Sequence, residues 1–402
     1  MNIMKIKYLT ILLLIFTVLS CEPKEKNSGG QDKNAENIET NEVYFNDDEQ
    51  QKIEDIGKVL QVWTRAKSYP FRDASIPIII YGNGRFLAAG DRHDIKLAYS
   101  DDGDTWYEVQ SDVIKKEIKE IECMAFGNGR FVAVGNNGGI LAYSDDGITW
   151  VIATTCEEVG GISYGNGRFA AVASNSSIAY YSDDGKTWIK TWIDVEGEGL
   201  DVFFNYKRFS CNCITYGNGM FLVGAGDKIV YSNDCETWKL VPGNIFEDLY
   251  VDIITYGNGR FVAVGKHIPF QDGRLSTVFF SDNGIDWAEL SDKPIMPVFN
   301  ILYANGIFIS GSNSASITYS IDGKTWYPLT DHDRDLLSYG EGFAEYNRNH
   351  IRIEALQGDD WSVHSDIGSI AYGKGRFVIG SGNGAYSKIV WCDMPEILND
   401  TH

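Results

Sequence analysis

The sequence lacks three features that would place it in large classes of protein. It has no excess of basic residues, because 35 Lys and Arg stand against 56 Asp and Glu, for a formal net charge of −21. Such an acidic chain repels phosphate backbones, so we expect no nucleic-acid partner. Its apolar run from Tyr8 to Leu19 is too short to cross a bilayer as a helix. Close Cys or His pairs are also missing apart from Cys211-Asn212-Cys213, a poor zinc motif, and we expect no metal or other cofactor.

The N-terminal segment has the composition of an export signal. Lys5 and Lys7 precede the apolar run, and Val18-Leu19-Ser20-Cys21 resembles the bacterial lipobox, whose cysteine is diacylated and becomes the mature N-terminus. We expect a signal peptide over residues 1–20, lipidation of Cys21, and attachment to a membrane of the bacterial cell envelope, facing the periplasm or the cell surface. Residues 21–42 have almost no apolar side chains and predict a flexible tether. Residues 43–402 are expected to form a single domain.

Six cysteines follow Cys21, at positions 123, 156, 211, 213, 235 and 392. An even number in an exported chain permits disulfides, but their spacing does not choose between the pairings. Several lie in apolar strands, where we expect them to be buried as small hydrophobic side chains.

Internal repetition dominates the rest of the chain. Seven times an aromatic residue is followed by Gly-x-Gly or Ala-x-Gly and then, two positions on, by Phe: Tyr81–Phe86, Phe126–Phe131, Tyr164–Phe169, Tyr216–Phe221, Tyr256–Phe261, Tyr303–Phe308 and Tyr372–Phe377. Six of these units are followed by a motif that we name the Ser-to-Trp hairpin: Ser100–Trp106, Ser144–Trp150, Ser182–Trp188, Ser232–Trp238, Ser281–Trp287 and Ser320–Trp326. A period of about 40 residues, built from short strands and tight turns, predicts a propeller or a solenoid.

Each unit divides into four strands, A to D. In the unit from Gly161 to Thr191, strand A ends at Tyr164, and Asn166-Gly167 supplies the positive φ angles of a type I′ turn. Strand B then covers Arg168–Ala173, strand C covers Ile178–Ser182, and Thr187-Trp188 opens strand D. The apolar face of such a meander is covered only by neighbours in a closed ring, which predicts an all-β propeller of four-stranded blades.

The number of blades depends on one degenerate unit. Tyr339–Phe343 keeps the A–B turn with one residue missing, and Ile351–Trp361 has the offset of a strand C and its Trp. Counting this unit, we expect eight blades; if it is an insertion, the number is seven. The last unit has a poor strand D, whereas Val62-Trp63-Thr64 lies at the right distance before Tyr81. We expect this N-terminal strand to complete the last blade and close the ring.

The Ser-to-Trp hairpins, such as SDDGKTW at Ser182–Trp188, resemble the Asp-box, or BNR, repeat of sialidase-like propellers. The similarity covers the chain from about Trp63 to Trp391. The family's box, S-x-D-x-G-x-T-W, is one residue longer, and Ile321 and Cys235 depart from it locally. The resemblance implies a propeller in which the box is structural and lies away from the active site, so it indicates architecture more than activity.

In a propeller the A–B and C–D turns share one face, and the B–C turns and D-to-A crossings share the other, where ligands usually bind. The long connections of this chain fall on the second face, and variable loops on a rigid scaffold commonly carry function. The candidate ligand residues on that face are Arg72, Arg92, His93, Trp192, His267, Arg274, His332, Arg334 and His350.

Structural interpretations compete with functional ones at these positions. The histidines are typical of solvated loop residues, although carboxylates stand beside His93 and His332. Trp192 either packs under a long loop or forms a sugar-stacking platform. The arginines that recur after the A–B turns are expected to cover neighbouring strands, with a binding ring as the alternative: Arg85, Arg130, Arg168, Arg260 and Arg376.

Three functions fit this sequence. The first, which we favour, is an exported lipoprotein whose non-catalytic propeller binds a protein or a glycan. The second is a glycoside hydrolase, but the sialidase Phe-Arg-Ile-Pro motif is interrupted in Phe71–Pro77, so an arginine triad would have to be rearranged from Arg72, Arg92, Arg274, Arg334 or Arg348. The third resembles the photosystem-associated propellers that act as assembly factors, and it favours protein partners.

Overall fold

A computed structural model describes residues 46–71, 74–91, 96–135, 139–157, 159–174, 176–195, 213–267, 276–290, 298–312, 316–329, 366–382 and 388–394. The described chain begins with helix α1 (Asp47–Leu60) and strand β1 (Thr64–Arg65). Twenty-seven further strands follow, and with β1 they form seven antiparallel sheets of four strands each. Each sheet is one blade.

Blades 1 to 6 each use four consecutive strands, labelled A to D in the order in which they pair. Blades 1 to 3 are β2 (Ile78–Gly82), β3 (Arg85–Ala89), β4 (Leu97–Ser100) and β5 (Tyr107–Glu108); β6 (Ile121–Gly127), β7 (Arg130–Gly135), β8 (Ile140–Ser144) and β9 (Val151–Thr155); and β10 (Val159–Gly165), β11 (Arg168–Ala173), β12 (Ile178–Ser182) and β13 (Ile189–Trp192). A short π-helix, Val113–Glu117, lies in the crossing from blade 1 to blade 2.

Blades 4 to 6 repeat the pattern. They are β14 (Cys213–Gly217), β15 (Met220–Ala225), β16 (Lys228–Ser232) and β17 (Lys239–Leu240); β18 (Leu249–Gly257), β19 (Arg260–His267), β20 (Thr277–Ser281) and β21 (Ala288–Glu289); and β22 (Val298–Ala304), β23 (Ile307–Ser312), β24 (Ile317–Ser320) and β25 (Tyr327–Pro328). Blade 7 contains β26 (Ile367–Gly373), β27 (Arg376–Ser381) and β28 (Ile389–Asp393), and β1 is its fourth strand.

The turn residues produce the hairpins that the sequence predicts. Asn166 and Gly167 have φ angles of 51° and 78°, as a type I′ turn requires. Strands B and C of this blade begin and end at the predicted residues. Strand B lies between two others, and in β11 every residue after Arg168 is buried. The local sequence therefore determines where the turns and strands of this blade lie.

The N-terminal strand closes the ring, as predicted. Thr64 pairs with Trp391 and Arg65 with Val390, so β1 supplies the outer strand that blade 7 lacks. Beyond β1, Ser68 bridges to Thr105 in the Ser-to-Trp hairpin of blade 1. The same segment thus joins the last blade to the first.

The prediction of eight blades is wrong, and the alternative of seven is correct. The A strands contact one another in the order β2, β6, β10, β14, β18, β22 and β26, and β26 contacts β2. A Cβ atom built on Gly311 of blade 6 would lie 2.4 Å from the Ile367 side chain of blade 7, so blades 6 and 7 are direct neighbours. No place remains between them for an eighth sheet. The degenerate unit that suggested one, Tyr339–Trp361, lies outside the described residues.

Close contacts between aromatic rings and glycines join the blades along the A strands. The first glycine after the repeated aromatic residue has no room for a side chain, because the aromatic ring of the next blade occupies that space. A Cβ built on Gly165 would lie 1.9 Å from Cγ of Tyr216, and one on Gly373 would lie 2.3 Å from the Tyr81 ring. The aromatic-Gly-x-Gly motif therefore encodes packing between blades as well as a turn.

Helix α1 was not predicted from the sequence. Its buried residues are Ile53, Ile56 and Leu60, at the spacing of one helical face. The backbone carbonyl of Ile53 accepts a 2.9 Å hydrogen bond from the Tyr319 hydroxyl of blade 6, and that of Val59 lies 3.2 Å from Sγ of Cys392 in blade 7. The helix is thus attached to blades 6 and 7. We call the region where β1 pairs with β28 and closes the ring the seam.

Candidate functional site

The outer strands differ in length from blade to blade. Within the described residues, the outer strand has two residues in blades 1, 4, 5, 6 and 7, but five in blade 2 (β9) and four in blade 3 (β13). Blades 2 and 3 are adjacent, so the two longest outer strands border the space between neighbouring blades. At about 3.3 Å per residue, the walls are roughly 13–17 Å long. We call this surface the blade 2–3 groove and define it by Val151, Thr154, Glu157, Lys190 and Trp192.

Strand register shows which side chains face the groove. Val134 and Leu141 of blade 2 share a hydrophobic cluster with Phe169, Ile178 and Tyr180 of blade 3, so these residues point into the space between the two blades. Paired residues on neighbouring strands project to the same side. Thr154 pairs with Leu141, Lys190 pairs with Tyr180 and Trp192 pairs with Ile178. The two walls therefore present Thr154 on one side, and Lys190 and Trp192 on the other.

Trp192 is the only exposed tryptophan in the described part of the chain. Its side chain is 59% exposed, whereas Trp106, Trp150 and Trp238 are buried. It is the last residue of β13, at the end of the blade opposite the Ser-to-Trp hairpin. Nζ of Lys190 lies 5.0 Å from the centroid of its ring, a favourable cation–π distance. The structure thus gives Trp192 a defined orientation without burying it.

Glu157 and Tyr180 hold Lys190 in place. Nζ of Lys190 lies 2.5 Å from Oε1 of Glu157, and the backbone N–H of Glu157 donates a 3.1 Å hydrogen bond to the Tyr180 hydroxyl. The hydrogen bond that Lys190 donates to the Glu157 carboxylate raises the pKa of Lys190, so the ammonium keeps its charge at neutral pH. Burial raises the pKa of Tyr180, which keeps its phenol proton available as a donor. The cation beside the exposed indole is therefore held by one carboxylate, which is itself anchored to the Tyr180 hydroxyl.

The other end of the groove is also amphipathic. Val151 is 45% exposed and pairs with Tyr143. Nζ of Lys186, in the Ser-to-Trp hairpin of blade 3, lies 5.1 Å from the Tyr143 ring centroid. This end of the groove therefore has an exposed apolar side chain, with a cation and an aromatic ring nearby.

Most of the residues predicted to bind a ligand lie outside the described residues. They are Arg72, Arg92, His93, Arg274, His332, Arg334 and His350, and their roles stay predictions. Cys21 also lies outside the described residues. His267 is the last residue of β19, where its backbone pairs with Leu249. Of the predicted set, Trp192 alone is described in full; it is exposed, and its role as a platform stays a prediction.

The recurring arginines join neighbouring blades, as the structural interpretation predicts. Nε of Arg85 donates to Oδ1 of Asp101 at 2.7 Å, and Nη1 donates to the carbonyl of Asp146 in the next blade at 2.7 Å. Four others make the equivalent contact to the next blade: Arg130 to Asp184, Arg168 to Asp234, Arg260 to Asp322 and Arg376 to Asp102. The side chains that could form a binding ring are thus engaged with protein.

The remaining titratable groups point to structural roles. Within the described residues, no group of three or more His, Cys, Asp and Glu is arranged to hold a metal ion. Cys213, Cys235 and Cys392 are buried, as expected for small hydrophobic side chains. Burial raises the pKa of Cys235 and Cys392 to about 12, so both thiols stay protonated at neutral pH.

Sequence reasoning missed Glu157, Tyr180 and Lys190. A signal for Lys190 was present, because residues i and i+2 of a strand share a face, and this places Lys190 beside Trp192 once strand D is extended to that residue. No comparable signal exists for Glu157. Its position depends on how the chain crosses from blade 2 to blade 3, and local sequence does not specify that path.

Seven four-stranded blades closed by a strand from the other end of the chain define a β-propeller. Residues 62–336 match the model of the DUF6242 beta propeller domain, and the chain belongs to that family. No curated protein sequence matches this chain.

Solved structures confirm the fold class. A streptogramin B lyase shares 12% identity with a TM-score of 0.55 over 82% of this chain and 97% of its own. A catalytically inactive virginiamycin B lyase from Staphylococcus aureus, with quinupristin, shares 11% identity with a TM-score of 0.58 over 83% of this chain and 99% of its own. The extracellular domain of a proposed one-component system from B. thetaiotaomicron shares 11% identity with a TM-score of 0.52 over 81% of this chain and 40% of its own. At these identities the similarity shows the fold alone.

Proposed function

We propose that this protein is an exported lipoprotein whose propeller is a non-catalytic scaffold that binds a protein or glycan ligand. The observation that carries the proposal is the blade 2–3 groove, where an exposed indole and a lysine on β13 stand together and the lysine pairs with Glu157 of the crossing from blade 2. An aromatic side chain left in solvent at a defined orientation is typical of recognition surfaces.

The groove favours binding over chemistry. Lys190 is neutralised by Glu157, and both groups are partly exposed, with side-chain exposures of 39% and 59%. A catalytic acid or base usually has a pKa tuned toward neutrality by burial or by a like charge. The pKa of Lys190 is instead raised, away from neutrality. These groups are suited to holding a ligand by hydrogen bonds.

Export and anchoring rest on the N-terminal sequence. The signal-like run, the lipobox-like Cys21 and the polar segment after it support a body tethered to a membrane of the cell envelope. Among the described residues, no helix has the length and apolar character needed to cross a bilayer. An extracellular domain among the structures with the same fold agrees with export. Replacing Cys21 by Ala should abolish incorporation of radiolabelled palmitate; label that persists would refute lipidation at this site.

Sedimentation with envelope material tests the binding function. The body from Val43 to His402 contains every strand and helix described above, so it is the protein to use. We expect it to sediment with isolated envelope fractions, and Trp192→Ala to lose most of this binding. Ile189→Ala is the matched control, since Ile189 lies on the same strand, is 51% exposed, and projects to the opposite side.

Treating the envelope fraction separates the two ligand classes, and an enzyme assay tests the absence of catalysis. Protease treatment should remove a protein ligand, and periodate oxidation should remove a glycan. Fluorogenic sialosides and β-glucans should stay intact with the same body. Hydrolysis of either would contradict the non-catalytic proposal, and equal sedimentation of the Trp192→Ala variant would move the binding surface elsewhere.

A further inference from the structure

We infer that the blade 2–3 groove binds a neutral glycan chain, with Trp192 as the platform on which a sugar ring stacks. This inference rests on the proposed binding function and names the ligand class of that same groove. Three observations support it: the composition of the groove, the protection of its two strands, and the net charge of the chain.

The composition of the groove matches the two sides of a sugar. A pyranose ring has an apolar C–H face, which packs against an aromatic ring, and a rim of hydroxyl groups, which need hydrogen-bond partners. Trp192 supplies the aromatic surface at 59% exposure. Beside it, Oε1 of Glu157 and Nζ of Lys190, 2.5 Å apart, supply an acceptor and a donor. Such convergence of one apolar surface with a few placed polar groups is the usual construction of a small-molecule site.

The outer strands are protected against the main alternative, an extended peptide added as a fifth strand. In β9, Ala153 is an extra residue, because Thr154 pairs with Leu141 and Ile152 pairs with Ala142, so a bulge interrupts the free edge. In β13, a lysine stands in the middle of the edge strand. Bulges and edge lysines are two means by which proteins prevent strand addition. A ligand that binds through side chains is therefore favoured over one that binds through the backbone.

The charge of the protein favours a neutral ligand. The chain has a formal net charge of −21, and Glu157 is exposed within the groove itself. A polyanionic glycan would be repelled by the overall field and by this carboxylate, whereas a neutral polymer meets no such penalty. The length of the walls, roughly 13–17 Å by strand rise, suits a short stretch of polymer rather than one monosaccharide.

Affinity electrophoresis tests this inference directly. The body Val43–His402 is run through native gels containing a soluble β-glucan, an α-glucan, a xylan or a mannan, and through a gel with polygalacturonate as the anionic comparison. We expect at least one neutral polymer to retard the protein. Trp192→Ala should weaken binding about tenfold or more, because loss of one good aromatic contact amounts to about 1.4 kcal/mol. Trp192→Phe should keep part of the affinity, and Glu157→Gln should weaken it less than Trp192→Ala.

Ile189→Ala should bind like the parent protein. Because Trp192 and Ile189 are both exposed, all variants should unfold at the temperature of the parent, which excludes misfolding as the cause of lost binding. Absence of retardation by every neutral polymer, retardation by polygalacturonate alone, or unchanged retardation of Trp192→Ala would each overturn the inference. If envelope sedimentation nevertheless depends on Trp192, the binding function stands and only the ligand class is wrong.

Discussion

At the scale of single residues, the repeated arginine is the clearest case in which a sequence pattern suggests a binding site and the structure shows a contact between blades. We call this contact the arginine joint. Arg130 lies 2.6 Å from Asp145 in its own blade, places its guanidinium 5.0 Å from the Tyr143 ring centroid, and donates to the backbone of Asp184 in the next blade. The same three contacts recur in blades 1, 3, 5 and 7. One side chain thus binds the C–D turn of its own blade and the C–D turn of the next blade.

Substitution of this arginine measures how much the arginine joint contributes to the free energy of unfolding. Blade 4 has Met220 at the equivalent position, so Arg130→Met is a replacement that the repeat already accommodates. We expect the free energy of unfolding to fall by about 1–2 kcal/mol, because a charge-assisted hydrogen bond is lost while the ion pair itself is partly exposed. Urea unfolding followed by tryptophan fluorescence measures the change.

Lys116→Met is the control for that experiment. Lys116 forms an ion pair with Asp112 in which both side chains are largely exposed, at 67% and 81%. Its loss should cost less than about 0.5 kcal/mol. Equal effects of the two substitutions would show that the arginine joint is no stronger than an ordinary surface ion pair.

At the scale of elements, the Ser-to-Trp hairpin is stabilised by its own side chains. In blade 3, Oδ1 of Asp184 accepts backbone N–H bonds from Lys186 at 2.8 Å and Thr187 at 2.7 Å, and Ser182 Oγ accepts one from Gly185 at 2.8 Å. The indole of Trp188 donates to the carbonyl of Gly185 at 3.2 Å. The motif is thus a turn in which side chains replace the missing strand partners.

This hairpin should make stability depend on pH. Backbone hydrogen bonds, that from Thr187 foremost, lower the pKa of Asp184, and the one from Thr237 does the same for Asp234. Because the pKa in the fold lies below the unfolded value of about 3.9, the contribution is complete above that pH. It is lost as the pH falls through the folded value. The double variant Asp184→Asn/Asp234→Asn should therefore lose less stability than the parent below about pH 4.

Asparagine is the right replacement because blade 5 already uses it. Asn283 Oδ1 accepts from the backbone N–H groups of Ile285 and Asp286, both at 2.8 Å, so the bonds persist without a titrating group. Urea midpoints between pH 2.5 and 7 measure the effect. Parallel curves for parent and variant would show that these carboxylates do not contribute to acid sensitivity.

The contact between glycine and the next blade's aromatic ring gives a prediction about packing between elements. Blade 6 has Ala304 at this position, so one methyl group is tolerated there, and a larger side chain is needed for a decisive test. Gly165→Val should lower the free energy of unfolding by about 3 kcal/mol, because its Cβ would stand 1.9 Å from Cγ of Tyr216. Thermal or urea unfolding measures this loss.

Gly167→Asn separates crowding from backbone strain. Gly167 has a φ of 78°, but a Cβ atom added to it would meet no other atom within 4 Å, and Asn tolerates this conformation better than most residues. The substitution should cost less than about 1 kcal/mol. If both variants lose the same stability, the contact between Gly165 and the Tyr216 ring excludes side chains no more strongly than an ordinary turn position does.

At the scale of the whole molecule, what repeats could be predicted and what occurs once could not. Strands B and C, the turns and the closing strand follow from local patterns, because each hairpin specifies its own register. The number of blades does not, since the spacing within Tyr339–Trp361 resembles that of a blade, whereas the described strands close a ring of seven. Helix α1 was missed because it is not part of the repeat, although the spacing of Ile53, Ile56 and Leu60 is a sufficient amphipathic signal.

The candidate site was predictable only in part for the same reason. Trp192 could be predicted as a candidate because it stands outside the repeat. Lys190 contacts its ring, and Glu157 and Tyr180, which hold that lysine in place, come from the crossing and from the neighbouring strand β12. Contacts of this kind depend on the assembled ring, which no window of sequence contains.

Closure of the ring gives the last prediction, and Asp104 is the residue that tests it. Its side chain, 7% exposed, accepts hydrogen bonds from the backbone N–H of Lys67 at 3.0 Å and from the Trp391 indole at 3.1 Å, and lies 2.6 Å from Nζ of Lys67. Blade 1, the N-terminal segment and blade 7 therefore meet at one carboxylate. Asp104→Ala should cost about 2–3 kcal/mol, because three donors lose a charged acceptor.

Lys186→Ala is the control, because Lys186 has the same position in the hairpin of blade 3, away from the seam. This substitution should lower the free energy of unfolding far less. If the ring unfolds as a unit, both variants will keep one transition by fluorescence and circular dichroism, and only Asp104→Ala will shift its midpoint strongly. A loss in Asp104→Ala no greater than in Lys186→Ala would mean that the seam is not held at this residue. The closing strand would then stabilise the ring through its pairing with β28 alone.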